Sequence, residues 1–157
     1  MAYTFRGGIH PGTKNDPGFK AATNKKPIEV LKAPDKVILP VSMHIGAPAK
    51  PLVKKGDIVN MGQMIAEAGG FVSAPVHASV SGKVVDVVPM LHQNGSKVLS
   101  IVIENDHEDR LHESVKPKDF ENMSNDERIQ AIWDAGIVGH GGATFPTHVK
   151  IKSGIGK

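Results

Sequence analysis

The stretch Val53-Lys54-Lys55-Gly56-Asp57-Ile58-Val59-Asn60-Met61-Gly62-Gln63-Met64-Ile65-Ala66 sets glycine turns between short β-branched pieces. It opens the run DIVNMGQMIAEA (57–68), one of a series with KVILP (36–40), FVSAPVHASVSG (71–82), KVVDVVPM (83–90) and KVLSIVIEN (97–105). All five are rich in β-branched residues and bounded by Gly, Pro or Asn, which favours strands over helices. In the fourth run, strand alternation puts Val84, Asp86 and Val88 on one face and Val85 and Val87 on the other. Lys55-Gly56-Asp57-Ile58-Val59 is echoed 39 residues later by Asn94-Gly95-Ser96-Lys97-Val98. Each is a glycine turn feeding a strand, so a small sandwich of two similar halves is expected.

Outside this block the pattern changes. Residues 1–36 hold four prolines and no sustained periodicity, which reads as an extended arm. Residues 37–105 are the β block, and residues 106–123 an acidic linker. Residues 124–157 begin with a helix: Ser124 and Glu127 have capping-box spacing, Ile129, Ile132, Trp133 and Ala135 give helical apolar spacing, and Gly136 is a stop. The tail beyond it is too short in apolar residues to complete a second domain, so the chain reads as stopping just inside one.

The 157 residues are 39% hydrophobic and 22% charged, enough for a core and unlike a disordered chain. With only seven aromatics, that core must be aliphatic. Zero Cys excludes disulfides, iron–sulfur ligation and a cysteine nucleophile within this sequence. No apolar run approaches 18 residues, and the amino terminus lacks a hydrophobic signal core, so a cytoplasmic location is the default expectation. The net charge of +3 does not argue for nucleic acid. It conceals a balance of +7 over residues 1–55 and −6 over residues 104–127. Solvated surface is the plain reading of both. The sharper one docks the basic leader on an acidic partner or on anionic lipid headgroups.

The tail carries the strongest chemical signal, Gly136-Ile-Val-Gly139-His140-Gly141-Gly142-Ala143-Thr144-Phe145-Pro146-Thr147-His148-Val149-Lys150. Four glycines in seven residues let the backbone approach a flat or anionic ligand and offer positive φ values. Exposed N–H groups can cradle phosphate oxygens, with Lys150 as countercharge. The spacing is neither a P-loop nor the dinucleotide fingerprint. His107 and His112, at i and i+5, do not share a helical face and belong to a solvated linker; no metal site or catalytic triad is expected. His44, His77 and His148 read as structural hydrogen-bonding residues.

The pattern from Val53 to Ala66, followed by Ser81-Gly82-Lys83-Val84, resembles the barrel-sandwich hybrid of biotinyl and lipoyl carriers. Those carriers modify a Lys at a hairpin tip. Here no Lys lies between Gly56 and Gly82, and Lys83 begins a strand, so neither lipoate nor biotin is expected. A free-standing carrier or β-sandwich interaction module is the rival reading.

FRGGIHP (5–11), HIGAPAKPLVKKGD (44–57), FVSAPVHASVSGKV (71–84) and GIVGHGGATFPTHVK (136–150) together resemble the amino-terminal part of the RnfC family, in family order over nearly the whole chain. The resemblance implies a mainly β fold, a barrel-sandwich hybrid with an extended arm, then a helix opening a truncated α/β flavin- and NADH-binding domain. It implies a peripheral cytoplasmic subunit of a ferredoxin:NAD oxidoreductase coupled to Na⁺ or H⁺ movement. FMN and NADH would bind the parent protein, together with two [4Fe–4S] clusters whose ligands this chain lacks. Other Rnf subunits, ferredoxin and NAD(H) would be its partners. The flavin domain is similar to the NADH-binding flavoprotein subunit of respiratory complex I, whose loop G-x-G-G-A-G-F-P-T reaches a Lys at the interval that Gly139 and Lys150 reproduce. The resemblance therefore assigns Gly139, Gly141, Gly142, Ala143 and Lys150 as flavin- or NADH-contacting positions. The sequence departs at His140, where that pattern has Arg, and at Thr144, where it has Gly.

Overall fold

In the structure, a computed structural model that describes residues 12–13 and 16–155, a long hairpin organises the β block. Strand β8 (Gly82–Leu91) pairs antiparallel with β9 (Lys97–Asn105), from Gly82 opposite Asn105 to Leu91 opposite Lys97. The Asn94 carboxamide oxygen accepts from both the Ser96 N–H (3.0 Å) and the Ser96 hydroxyl (2.8 Å), closing the turn between them. β3 (Lys36–Pro40) adds to the far side of β9, and β5 (Ile58–Val59) to the far side of β8. The sheet order is β3-β9-β8-β5. Strands β4 (Lys50–Pro51), β6 (Met64–Glu67) and β7 (Val76–His77) form a second sheet in the order β4-β6-β7.

The two sheets share one aliphatic core. Val59, Val84, Ile101 and Ile103 of the first pack with Ile65, Ala66 and Val76 of the second. Ile65, Ile101 and Ile103 are fully buried, each contributing about 1.5–3 kcal/mol of transfer free energy. This is the mainly β, barrel-sandwich layout that the strand pattern implied.

The structure corrects three local expectations. The run 57–68 is two strands, because a turn at 61–62 separates β5 from β6, and in the run 71–82 only β7 and Gly82, the first residue of β8, are strand. The glycine echo is real, with Gly56 at φ 99° and Gly95 at φ 82°, but both turns feed the four-stranded sheet. The sheets are therefore unequal and are not two repeats facing each other. Third, the alternation expected along β8 breaks. Val84 opposes Ile103 while Asp86 opposes Val102, so Val85 is an extra residue, a β-bulge. Past it the faces exchange: Val84 and Val87 both pack on the core, whereas Asp86 shares a face with Val88.

After β9 the chain runs without a regular element to α1 (Asn125–Asp134). It is pinned on the way, where Met61 N–H donates to the Arg110 carbonyl (2.8 Å) and His112 N–H to the Met61 carbonyl (2.9 Å). The capping box forms as its spacing requires: Glu127 N–H donates to Ser124 Oγ, and Ser124 N–H to the Glu127 carboxylate (2.8 Å). At the other end Gly136 adopts φ 68°, with Gly136 N–H donating to the Trp133 carbonyl (2.8 Å) and Ile137 N–H to the Ile132 carbonyl (3.3 Å). That is a Schellman stop, which satisfies two otherwise orphaned carbonyls. A second helix, α2 (Thr147–Gly154), follows.

Residues up to Lys32 form a separate unit. Its described part contains the short antiparallel pair β1 (Gly12–Thr13) and β2 (Asp16–Pro17), a turn at 20–26, and a segment without regular structure. The FRGGIHP motif (5–11) lies outside the described residues.

Candidate functional site

The glycine-rich segment is a closed loop between the two helices. Val138 and Pro146 form an antiparallel bridge. Inside it Gly139 N–H donates to the Phe145 carbonyl (2.8 Å) and Thr144 N–H to the Gly141 carbonyl (3.0 Å). Thr144 takes φ 46°, a left-handed conformation that favours glycine, at the position where the related pattern carries Gly. Gly141 and Gly142 do not have positive φ, contrary to the sequence expectation. A Cβ at either would meet nothing within 4 Å. What these two glycines contribute is open space above the backbone.

Three contacts fix the loop and its helices to the β module. Ile45 N–H donates to the Ala143 carbonyl (3.0 Å). His148, in the first turn of α2, donates from Nε2 to the Phe71 carbonyl (3.0 Å). Gly136 passes so close to the residue preceding β7 that a Cβ there would stand 2.6 Å from the Pro75 carbonyl oxygen. The anchoring loops are themselves tied together: Ala47 N–H donates to the Val72 carbonyl (3.0 Å), and Ala74 N–H to His44 Nε2 (3.1 Å). His44 therefore carries its proton on Nδ1, which donates to the Ile45 carbonyl (3.1 Å). The motifs at 44–57, 71–84 and 136–150, scattered along the sequence, meet at one place.

His148 is 1% exposed, stacked on Trp133 and edge-on to Phe71 with ring centroids 6.0 Å apart. Burial holds its pKa below the ordinary value; the Phe71 carbonyl opposes this and the Lys152 ammonium adds to it. His77 is pushed down in the same way by burial, against the pull of the Asp134 backbone carbonyl and carboxylate. Both imidazoles are neutral structural groups. Sequence reasoning gave His148 a structural role but did not find its partners Trp133 and Phe71. The capping box and the helical apolar spacing of Ile129, Ile132 and Trp133 placed Trp133 on the packed face of α1 but could not name what it meets.

The assigned residues lie together on this surface. His140, Gly141, Gly142 and Ala143 are exposed, Gly139 is half-buried, and Lys150 is exposed on the first turn of α2. Among the described residues, no side chain caps that helix end. An uncapped N-terminus with a nearby ammonium favours an anionic group such as a phosphate. Among the described residues His107 and His112 go to different partners, Asp35 (3.0 Å) and the Ser114 hydroxyl (2.8 Å). Lys83 lies inside β8, paired with Ile58 and Glu104, away from any hairpin tip. A cleft of about 790 Å³ between Met64, His77, His112, Lys116, Lys118 and Asp134 contains none of the five assigned residues.

A two-sheet barrel sandwich carrying a clamped glycine loop defines a module of the barrel-sandwich hybrid class. Residues 3–108 match the family described as RnfC Barrel sandwich hybrid domain, and the chain belongs to that family. It is 52% identical over 149 residues to the C subunit of the Na(+)-translocating ferredoxin:NAD(+) oxidoreductase complex of Acetobacterium woodii, covering 94% of this chain and 32% of that protein. It is 47% identical over 152 residues to the C subunit of the proton-translocating ferredoxin:NAD(+) oxidoreductase complex of Clostridium ljungdahlii, covering 96% and 32%. It is also 41% identical over 153 residues to the C subunit of the ion-translocating oxidoreductase complex of Rhodobacter capsulatus, covering 96% and 28%. The chain spans about a third of the length of these curated relatives. No helix among the described residues is long and apolar enough to cross a membrane.

Proposed function

We propose that the chain is the amino-terminal module of an RnfC-type subunit that serves a ferredoxin:NAD⁺ oxidoreductase complex coupled to Na⁺ or H⁺ movement. Residues 37–105 are its scaffold, and the segment from Gly139 to Lys150 is the first ligand-binding loop of a flavin- and NADH-binding domain on the cytoplasmic side. The observation that carries this is the open space over Gly141 and Gly142, on a loop bonded to Ile45 and followed by an uncapped helix that is bonded to Phe71 and bears Lys150. The residues present fit a phosphate-bearing flat ligand. Backbone at Gly141, Gly142 and Ala143 allows close approach, and Lys150 with the first turn of α2 supplies positive potential. A bound flavin would supply hydride acceptance from nicotinamide and single-electron passage onward to iron–sulfur clusters. The role of this chain's residues is to hold and orient the ligand and to fix the loop against the sandwich.

The test is flavin content and NADH titration of the full-length subunit. Gly141→Val or Gly142→Val should abolish binding while circular dichroism and the unfolding midpoint stay at wild-type values, because each new side chain enters open space. Unchanged affinity in both variants would remove the loop from the site.

A further inference from the structure

The amino-terminal unit ends in a strip of exposed apolar side chains. Residues 27–32 have no regular secondary structure, and Ile28, Val30 and Leu31 are 97%, 96% and 88% exposed. Single exposed aliphatics are ordinary on protein surfaces, but three within four residues, each almost wholly in water, are an unpaired apolar surface. Phe19, at φ 54°, adds a fourth large apolar side chain that is 68% exposed. Lysines surround the strip. Lys25 and Lys26 lie before it in a turn closed by Lys26 N–H donating to the Thr23 carbonyl (3.0 Å), and Lys32 ends it. All three are exposed and, among the described residues, none is in an ion pair; Glu29 is the one acid within the strip.

We infer that residues 19–32 are a docking strip for an anionic lipid surface, with Ile28, Val30, Leu31 and Phe19 entering the headgroup region and Lys25, Lys26 and Lys32 meeting lipid phosphates. Apolar side chains alone would partition onto any bilayer, and lysines alone would bind any polyanion. Combining the two gives reversible attachment that requires both a negative surface and an apolar layer beneath it. A folded protein partner would be expected to engage the backbone of an extended segment and to present its own acids to the lysines. A lipid surface needs no backbone pairing, which suits a segment beginning at Pro27 and continuing to Pro34. Presence beside a membrane rests on the function proposed above, but the strip is chemically independent of the glycine loop, so its test involves neither flavin nor NADH.

The experiment is co-sedimentation of the 157-residue chain with vesicles of phosphatidylcholine alone, or of phosphatidylcholine with about one-third phosphatidylglycerol. Binding is expected only to the second, and should weaken as salt rises from about 0.1 M to about 0.5 M because the lysine contribution is screened. The combined variant Ile28→Ser, Val30→Ser, Leu31→Ser should bind anionic vesicles roughly tenfold more weakly, and so should the variant Lys25→Gln, Lys26→Gln, Lys32→Gln. Both should keep the wild-type circular dichroism spectrum, since every changed side chain is in water. Absence of wild-type binding, equal binding to neutral vesicles, or full binding by the serine variant would each overturn the inference. Strip-dependent capture of another protein of the complex, without vesicle binding, would overturn it in favour of a protein dock.

Discussion

The imidazole of His148 lies 4.5 Å from the indole of Trp133, with 11° between the ring planes. This stack joins the first turn of α2 to the last turn of α1, while the other side of the same imidazole reaches the Phe71 carbonyl (3.0 Å) of the β module. One side chain thus ties together both helices and the sandwich. Among the described residues, its Nδ1 is buried without a hydrogen-bond partner. A second proton there would place an unpaired N–H⁺ in a buried site beside Lys152, which is why the ring stays neutral.

Stability should therefore fall on mild acidification. His148 and His77 both have folded-state pKa values below the ordinary 6.5, so the unfolded chain takes up their protons first. Their contribution is intact above about pH 6.5 and is lost as the pH drops from there toward the depressed folded values. Asp106, held low chiefly by the Ser81 hydroxyl, and Glu127, held low by Ser124, add a separate loss only in the carboxylate range, as the pH falls below about 4. The urea midpoint should be lower at pH 5.5 than at pH 7.5, and less so in His148→Phe, which keeps a ring but does not titrate. A midpoint independent of pH over that interval would show that neither imidazole is held neutral by the fold.

Glycines in one motif should respond oppositely to alanine. Gly136 has φ 68°, and its Cβ would stand 2.6 Å from the Pro75 carbonyl oxygen, so Gly136→Ala meets both strain and a clash with backbone. A loss of at least about 1 kcal/mol is expected, with α1 shifted on the sheet. Gly141→Ala and Gly142→Ala meet open space at ordinary φ and should change stability by less than about 0.5 kcal/mol. Equilibrium urea unfolding of the three variants gives the comparison. A destabilised Gly142→Ala would mean that the loop's glycines serve folding rather than a ligand.

Much of this was legible because local chemistry set it. The limits of β3 and β9 coincide with KVILP and KVLSIVIEN, since in each a β-branched run is bounded by residues that end pairing. The helix start at Ser124 and stop at Gly136 follow from side-chain and backbone capping, which are short-range. What could not be read depends on partners distant in sequence. Nothing near Val85 marks it as a bulge, because the register that makes it extra is set by Ile103 and Val102 on the facing strand. The Ile45–Ala143 and His148–Phe71 bonds join residues far apart in the chain and leave no periodic trace. The family motifs marked these segments as notable, but only the fold shows that they touch. Of the two properties that singled out Gly141 and Gly142 in the sequence, they have the open space above the backbone and not the left-handed conformation.

The bulge makes a sharp prediction of its own. Simple alternation would treat Val84 and Val88 alike, yet Val84 is fully buried in the core and Val88 is half-buried on the face it shares with Asp86. Val84→Thr keeps shape but buries a hydroxyl among aliphatic side chains, at a cost of about 1–3 kcal/mol. Val88→Thr should cost less than about 0.5 kcal/mol. Thermal unfolding resolves the difference, and equal losses would mean that the register past Val84 is not the bulged one.

The final prediction concerns Lys150 and how much of a ligand site these residues can form. In the full-length subunit, Lys150→Ala removes an exposed ammonium from the first turn of α2 without touching the core. If that ammonium meets a ligand phosphate, affinity should drop by about 1–3 kcal/mol, the worth of a charge-assisted hydrogen bond. Lys150→Arg should retain most of the binding, since it keeps the charge, and the fold should be unaffected in both. The 157-residue chain by itself should bind flavin and NADH only weakly. Gly141, Gly142, Ala143 and Lys150 are all exposed, and one open loop cannot bury most of a nucleotide-sized ligand as tight sites do. Calorimetric titration of flavin and NADH into both proteins decides the matter. Micromolar binding by the short chain would show that the loop and the sandwich form a complete pocket, and wild-type affinity in Lys150→Ala would take the lysine out of the phosphate's reach.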